Sequence, residues 1–247
     1  MQLPEYERQA HREAFQKMSL GEKAEYIFAY YKLELVIALI LIVAIGSALK
    51  IMLSYREPVL YLAYANVAPG EASDSYLSEA YLEDRGYDEG HYELFRSRGI
   101  YLSDHASSSD HQYAYASRLK LLASIDAEQL DLALMNREAM ELLSASGYLL
   151  DLAPVLEADP ARAALVGERL RTNTVVIEDN ALEVQLNEAD SYEAVTEEVA
   201  NAVEVSDCLG AEDGMTGEVY LGIIGNTPRL DAACDYISYL LEAKEAA

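Results

Sequence analysis

A long apolar run from Leu33 to Leu53 constrains the fold of this chain more than any other feature of the sequence. The run has 21 residues, and its charges are confined to Glu34 and Lys50, near the two ends. As a helix it would be ~31 Å long, about the hydrocarbon thickness of a bilayer. The stretch from Leu35 to Leu49 has neither a charge nor a polar face, which argues against a core helix of a soluble protein. We therefore predict a transmembrane helix.

The position of this run favours a signal anchor that is not cleaved. It begins after 32 residues that include many charges, and neither a small-residue cleavage site nor an acylated cysteine follows it. The expected partner of Leu33–Leu53 is the lipid bilayer.

The basic residues near the span predict its orientation. Lys17, Lys23 and Lys32 precede it closely, whereas the other side has only Lys50 and Arg56 nearby. Because positive charge favours the cytoplasmic side of a span, we expect the N-terminus inside the cell and the C-terminal portion outside.

The charge of the chain is strongly uneven. It has 247 residues, with 18 Lys and Arg against 43 Asp and Glu, for a formal net charge of −25. Nucleic-acid binding needs clustered basic residues, so we exclude nucleic acid as a partner. The expected domains are a cytoplasmic helical arm (1–32), the span (33–53) and an acidic extracellular α/β domain (54–247).

The expected extracellular domain, 54–247, alternates between strand and helix patterns. This alternation is typical of a mainly parallel sheet covered on both faces. Expected strands are Val59–Ala65, a stretch within Tyr92–Asp104, Leu130–Met135 and Val219–Ile224, with a hairpin formed by Thr174–Ile177 and Leu182–Leu186. Expected helices are Ser73–Arg85, Tyr113–Ile125, Arg137–Ser146, Tyr192–Val205 and Leu230–Ala243.

Two segments of this domain resemble type 2 periplasmic (extracellular solute-binding) proteins. From Tyr115 to Leu152 the order is helix, strand, helix and then Gly147 followed by apolar residues, and from Tyr220 to Leu241 a strand leads through Asn226 into a helix. The N-terminal segment followed by a span resembles uncharacterised single-span membrane proteins of Gram-positive bacteria. The resemblance implies a reduced form of the type 2 binding-protein fold, in which the strand at Tyr220 returns near the hinge.

Ligands of open α/β sheets bind beyond the carboxyl ends of the strands, often at helix N-termini. The polar run Ser107–Ser109 is the best candidate there, because its hydroxyl and backbone N–H groups could hold an oxyanion. The same side chains also cap helices and form turns, so both interpretations stay open. The candidate ligand-binding residues are Asn66, Ser107, Ser108, Ser109, Tyr113, Asn136 and Asn226.

Neither a metal site nor an active site is indicated. Asp104, His105, Asp110 and His111 share one loop, but they match no metal-binding signature, and a solvated loop is favoured. The sequence also has no glycine-rich phosphate loop and no nucleophile elbow. We expect no cofactor and no enzymatic activity.

The two cysteines, Cys208 and Cys234, would both lie outside the membrane, in an oxidising environment. They could form a disulfide that closes a loop of about 25 residues and contributes roughly 3 kcal/mol. The alternative is a pair of separate buried thiols.

Two functions are therefore in competition. The first is a membrane-anchored, solute-binding-like module for capture, transport or sensing, with a small-molecule ligand and a membrane partner such as a permease. The second is a structural or interaction protein of the cell envelope that keeps the fold without binding a small molecule.

Overall fold

The computed structural model describes residues 19, 21, 23, 28, 32–103, 110–186, 191–209 and 217–245. The chain divides into two compact units, Met1–Tyr55 and Arg56–Ala247.

The first unit contains the predicted apolar helix. Helix α1, Lys32–Ser54, has 23 residues, and the apolar side chains described along it are exposed. From Lys32 to Lys50 it is long and apolar enough to cross a membrane, which no other helix among the described residues is. Its length and composition agree with the predicted span, while the orientation stays a prediction.

The second unit is an α/β fold built on a mixed six-stranded sheet, in the order β2-β1-β3-β6-β5-β4. Strand β1 pairs in parallel with β2 and with β3. The pairs β3–β6, β6–β5 and β5–β4 are antiparallel. The strands are β1 (Glu57–Ala65), β2 (Tyr92–Ile100), β3 (Leu132–Asn136), β4 (Leu170–Asp179), β5 (Ala194–Glu204) and β6 (Val219–Ile223).

Helices fill the connections between these strands. A π-helical segment, Tyr76–Ala80, joins α2 to α3, and short 3-10 turns cover Gly167–Arg169 and Ser206–Cys208. The α-helices of the unit are α2 (Glu71–Ser75), α3 (Tyr81–Asp84), α4 (His111–Asp126), α5 (Arg137–Ala145), α6 (Ala153–Ala158), α7 (Pro160–Val166), α8 (Ala181–Gln185) and α9 (Leu230–Glu245).

Helices cover both faces of the sheet because successive strand residues point to opposite sides. On β1, Leu62 belongs to a buried cluster that includes Tyr236 of α9. The next residue, Ala63, belongs to a second cluster, which includes Leu121 of α4 and Met140 of α5.

The expectation of a mainly parallel sheet is wrong. Only the β2-β1-β3 half is parallel, and β6 runs antiparallel to β3, with Ile223 opposite Leu132 and Val219 opposite Asn136. Strand direction depends on the return path of the chain, and neither hydrophobic pattern nor propensity records it.

The segment Tyr192–Val205, predicted as a helix, contains strand β5 instead. Its glutamates favour a helix, but Val195, Thr196 and Val199 are β-branched, and pairing with β4 decides the outcome. Similarly, the predicted strand Leu182–Leu186 lies mostly in helix α8.

The other predicted elements are confirmed within a few residues at their ends. Strands β1, β2, β3 and β6 form where expected, as do the helical stretch from Glu71 to Asp84 and helices α4, α5 and α9. Gly147 follows α5 at a positive φ of 72°, as expected for the residue that ends a helix.

Candidate functional site

The three parallel strands end at one edge of the sheet. Ala65, near the end of β1, is level with Ile100 on β2 and with Met135 on β3. Beyond the ends of β1 and β2 lies a cavity of about 470 Å³. This is the position at which open α/β sheets bind ligands, so the cavity is the candidate site.

The cavity combines loop backbone with a few polar side chains. One wall is the segment from Val67 to Glu71, which leads from β1 into α2. The other residues that line it are Tyr64, Asp74, Arg98 and Gly99.

Asp74 is the centre of the polar network in this cavity. Its side chain is only 13% exposed, and its carboxylate accepts hydrogen bonds from the Tyr64 hydroxyl at 2.9 Å and from Arg96 at 2.7 Å. Arg98 forms an ion pair with the same carboxylate. Arg96 also contacts Glu79 at 3.1 Å. Two guanidinium groups therefore balance two carboxylates.

The surroundings determine the protonation states of two of these side chains, Tyr64 and Glu79. Burial, followed by the hydrogen bond to Asp74, raises the pKa of the Tyr64 hydroxyl well above its ordinary value, so Tyr64 remains a proton donor. For Glu79, burial acts to raise the pKa, but hydrogen bonds from Ser78 and from its own backbone, together with Arg96, lower it overall. Glu79 is therefore ionised at neutral pH.

Arg98 is the most accessible charged group of the network. Its side chain is 60% exposed, and an arginine has five N–H donors. Donors that do not face Asp74 can bind a carboxylate or another oxyanion of a ligand. The exposed carboxylate of Glu71 lines the same cavity and can accept a hydrogen bond from an amine. The chemistry of the cavity therefore suits a small molecule that carries both charges.

Asn66 lies at the predicted edge but acts as a structural link. Its amide nitrogen donates to the carbonyl of Leu102 at 2.6 Å, and its amide oxygen accepts from the N–H of Leu102 at 2.8 Å. It adopts a positive φ of 57°, which asparagine tolerates better than most residues. These bonds hold the chain after β1 against the chain after β2, next to the cavity.

Asn136 also lies at this edge, where it caps helix α5. Its side-chain oxygen accepts from the N–H of Ala139 at 2.9 Å, which is the capping role considered as the alternative to ligand binding.

Asn226 lies at the other end of the strands, where β3 begins. Because β6 is antiparallel to β3, the end of β6 is beside the start of β3. The amide nitrogen of Asn226 donates to the carbonyl of Ile125 at 2.8 Å. The structure therefore does not bring Asn226 together with Asn66 and Asn136.

Tyr113 is close to the cavity. Its hydroxyl donates to the carbonyl of Gly99 at 2.5 Å, and its ring stacks on Tyr101 with centroids 6.1 Å apart. Ser107, Ser108 and Ser109 lie outside the described residues, as do Asp104 and His105. Among the described residues, no group of three or more His, Cys, Asp or Glu side chains could hold a metal ion.

Cys208 and Cys234 are both free thiols that pack at the same apolar cluster. Burial raises the pKa of each thiol. The two thiols are separate in the structure, which is one of the two alternatives left open by the sequence.

Asp74, Arg96 and Arg98 are not among the site residues predicted from the sequence. A signal was available, since Arg96 and Arg98 are two residues apart on an extended strand and therefore share a face, immediately before Gly99. Their carboxylate partner is 22 and 24 residues away in the chain, and spacing alone could not identify it.

Comparisons of the chain with protein-family models, with curated proteins and with solved structures find no match.

Proposed function

We propose that this chain is a membrane-anchored module without catalytic activity. It binds a small solute in the cavity beyond the carboxyl ends of β1 and β2. The observation that carries the proposal is the position of this cavity, with Tyr64, Asp74 and Arg98 lining it. The volume of about 470 Å³ is in the range of small-molecule sites.

The ligand would be a small zwitterion, such as an amino acid or a short peptide. Its carboxylate would bind Arg98, which is exposed, and its amine would bind the carboxylate side of the cavity at Glu71. The hydroxyl of Tyr64 donates its one proton to Asp74, and its oxygen would accept a hydrogen bond from a polar group of the ligand.

The proposed topology is a single span with the N-terminus in the cytoplasm and the α/β unit outside the cell. Helix α1 is long and apolar enough for this role, and the basic residues near the span favour this orientation. Protease added to intact cells should digest the α/β unit and spare the N-terminal segment. Protection of the unit would refute the topology.

The α/β unit would correspond to a reduced form of the type 2 solute-binding fold, and a permease would be its membrane partner. In support, β6 begins at Val219 and returns antiparallel beside β3, in the segment expected to return near the hinge. The polar side chains beyond the carboxyl ends of the parallel strands support the same proposal.

A thermal-shift screen of the full chain in an uncharged detergent tests the binding function. Amino acids, short peptides and sugars would be screened, and a ligand at one hundred times its Kd should stabilise the protein by ~2.7 kcal/mol. Arg98→Gln should abolish the shift caused by a zwitterion. Arg137→Gln is the matched control, because Arg137 is 58% exposed, pairs with one carboxylate, Glu218, and is not among the residues that line the cavity.

Two results would refute the proposal. One is that no member of the library moves the melting temperature. The other is that Arg98→Gln and Arg137→Gln reduce the shift equally, because a ligand bound in the cavity would distinguish between the two arginines.

The second candidate, an envelope interaction protein without a ligand, is favoured by one observation. The polar groups in the cavity already pair with one another, since Asp74 accepts from Tyr64, Arg96 and Arg98. In that case these pairs would stabilise the loop, and Arg98→Gln would lower the stability without changing the response to any solute.

A further inference from the structure

The outer part of the β4–β5 hairpin extends beyond the residues at which β5 pairs with β6. Strands β4 and β5 pair from Leu170 opposite Val203 to Asp179 opposite Ala194. In contrast, β5 pairs with β6 only at Val203 and Glu204. We call residues 176–186 and 191–198 the hairpin tip. Nearly all of them are exposed.

The hairpin tip carries a concentration of exposed apolar side chains. Five large apolar residues within a stretch of 19 are each at least 55% exposed, and a concentration of exposed apolar side chains is typical of an interaction site. They are Ile177, Leu182, Leu186, Tyr192 and Val195.

Strand β4 also offers an open backbone edge. It is the last strand in the order of the sheet, and no strand among the described residues pairs with its outer edge. Its ten residues, LRTNTVVIED, include neither proline nor lysine, and its charged residues and register shifts lie towards its two ends, so that the run from Thr172 to Val176 is uncharged and regularly paired. Another extended segment can therefore pair with it.

Charge determines what kind of segment fits. From Thr172 to Ala200 the sequence has eight Asp and Glu residues and no Lys or Arg. Two copies of this hairpin would repel each other, as would the hairpin and an anionic membrane surface. A segment with basic and apolar residues would be attracted.

We propose that the hairpin tip and the edge of β4 are the docking site for an extended, basic segment of another protein, which adds to the sheet as a strand. Lysine or arginine side chains of that segment face the carboxylates of the tip. Its apolar side chains pack on residues such as Ile177 and Val195.

The test uses the full chain in an uncharged detergent and a fluorescent peptide of alternating lysine and isoleucine, as long as β4. Fluorescence anisotropy measures its binding to the native chain and to a variant with Glu178→Gln, Glu183→Gln and Glu193→Gln. The matched control carries Glu83→Gln, Glu89→Gln and Glu157→Gln, which remove the same charge from exposed positions elsewhere. A second peptide, interrupted by proline, cannot pair as a strand.

The native chain and the control should bind the alternating peptide equally, and the tip variant should bind it about tenfold more weakly. The peptide with proline should not bind. The proposal is overturned if the native chain does not bind the alternating peptide, if both triple variants lose affinity equally, or if the peptide with proline binds as well. It is also overturned if the native chain dimerises and Ile177→Thr with Val195→Thr abolishes the dimer, since the tip would then bind a second copy.

Discussion

The carboxylate of Asp131 is completely buried and accepts a hydrogen bond from the guanidinium of Arg229 at 2.8 Å, across 98 residues of sequence. The same carboxylate accepts from the N–H of Tyr61 at 2.8 Å and from the hydroxyl of Thr227 at 2.5 Å. Arg229 also lies over the ring of Tyr61, 4.7 Å from its centroid. One side chain therefore connects β1, the start of β3 and the turn before α9.

Replacement of Asp131 by alanine should lower the free energy of unfolding by about 1–3 kcal/mol, because the donors around its buried carboxylate lose their partner, while the guanidinium of Arg229, 28% exposed, stays within reach of water. Urea unfolding followed by circular dichroism measures this loss. Asp88→Ala is the control, because Asp88 is exposed, and it should lower the free energy of unfolding much less than Asp131→Ala does. Equal losses in the two variants would contradict the role of Asp131.

Buried tyrosines should make the fold sensitive to alkali. Burial raises the pKa of Tyr236 well above its ordinary value of 10.0, and also raises the pKa of Tyr81 and Tyr239. The folded state therefore retains protons that the unfolded state loses above pH 10. Stability should be fully present below that pH and should fall as the pH rises further.

The measurement compares tyrosinate absorbance with circular dichroism during an alkaline titration. Tyr236→Phe removes one such proton, so the decline of stability above pH 10 should become shallower by about 1.4 kcal/mol per pH unit. A slope equal to that of the native chain would show that Tyr236 ionises without unfolding.

Asn201 connects the β4–β5 hairpin to helix α5 through hydrogen bonds. It is completely buried, its amide nitrogen donates to the hydroxyl of Ser144 at 2.7 Å, and its amide oxygen accepts from Asn173 at 2.6 Å. Asn201→Ala should lower the free energy of unfolding by about 1–3 kcal/mol, because Ser144 and Asn173 lose a hydrogen-bond partner in a buried environment. Thr174→Ala serves as the control, since the hydrogen bond of Thr174 to Glu198 is exposed and its loss should cost less.

The thiols can be distinguished by alkylation and mass spectrometry. Cys234 is 4% exposed and Cys208 is partly exposed, so Cys208 should react faster in the folded chain. After unfolding without a reductant, both thiols should be alkylated. If alkylation required prior reduction, the chain would contain a disulfide between Cys208 and Cys234.

The elements that could be predicted from the sequence are those determined by local signals. Strand β3 is an apolar run bounded by polar residues, and Gly147 follows the helix that comes next. Strand β5 was missed because its glutamates and valines give opposite preferences, which only pairing with β4 resolves. The direction of β6 was missed for a related reason, since it depends on a path through the whole fold.

The candidate site could be predicted only as a location. The rule that ligands bind beyond parallel strands led to Asn66 and Asn136, and a cavity does lie at that edge beside Asn66. Asn226 was misplaced because the rule assumes a parallel strand. Asp74 and Arg98 were not found, because their ion pair forms only when α2 packs beside β2.

The late position of β6 has a consequence for biosynthesis. This strand joins the β2-β1-β3 half of the sheet to the β5-β4 half, yet it is formed by residues 219–223. A growing polypeptide that has not reached Val219 leaves both halves without their common neighbour. Because such distant pairings are slow to close, the hydrophobic core of the nascent α/β unit cannot be completed until Val219–Ile223 has been synthesised.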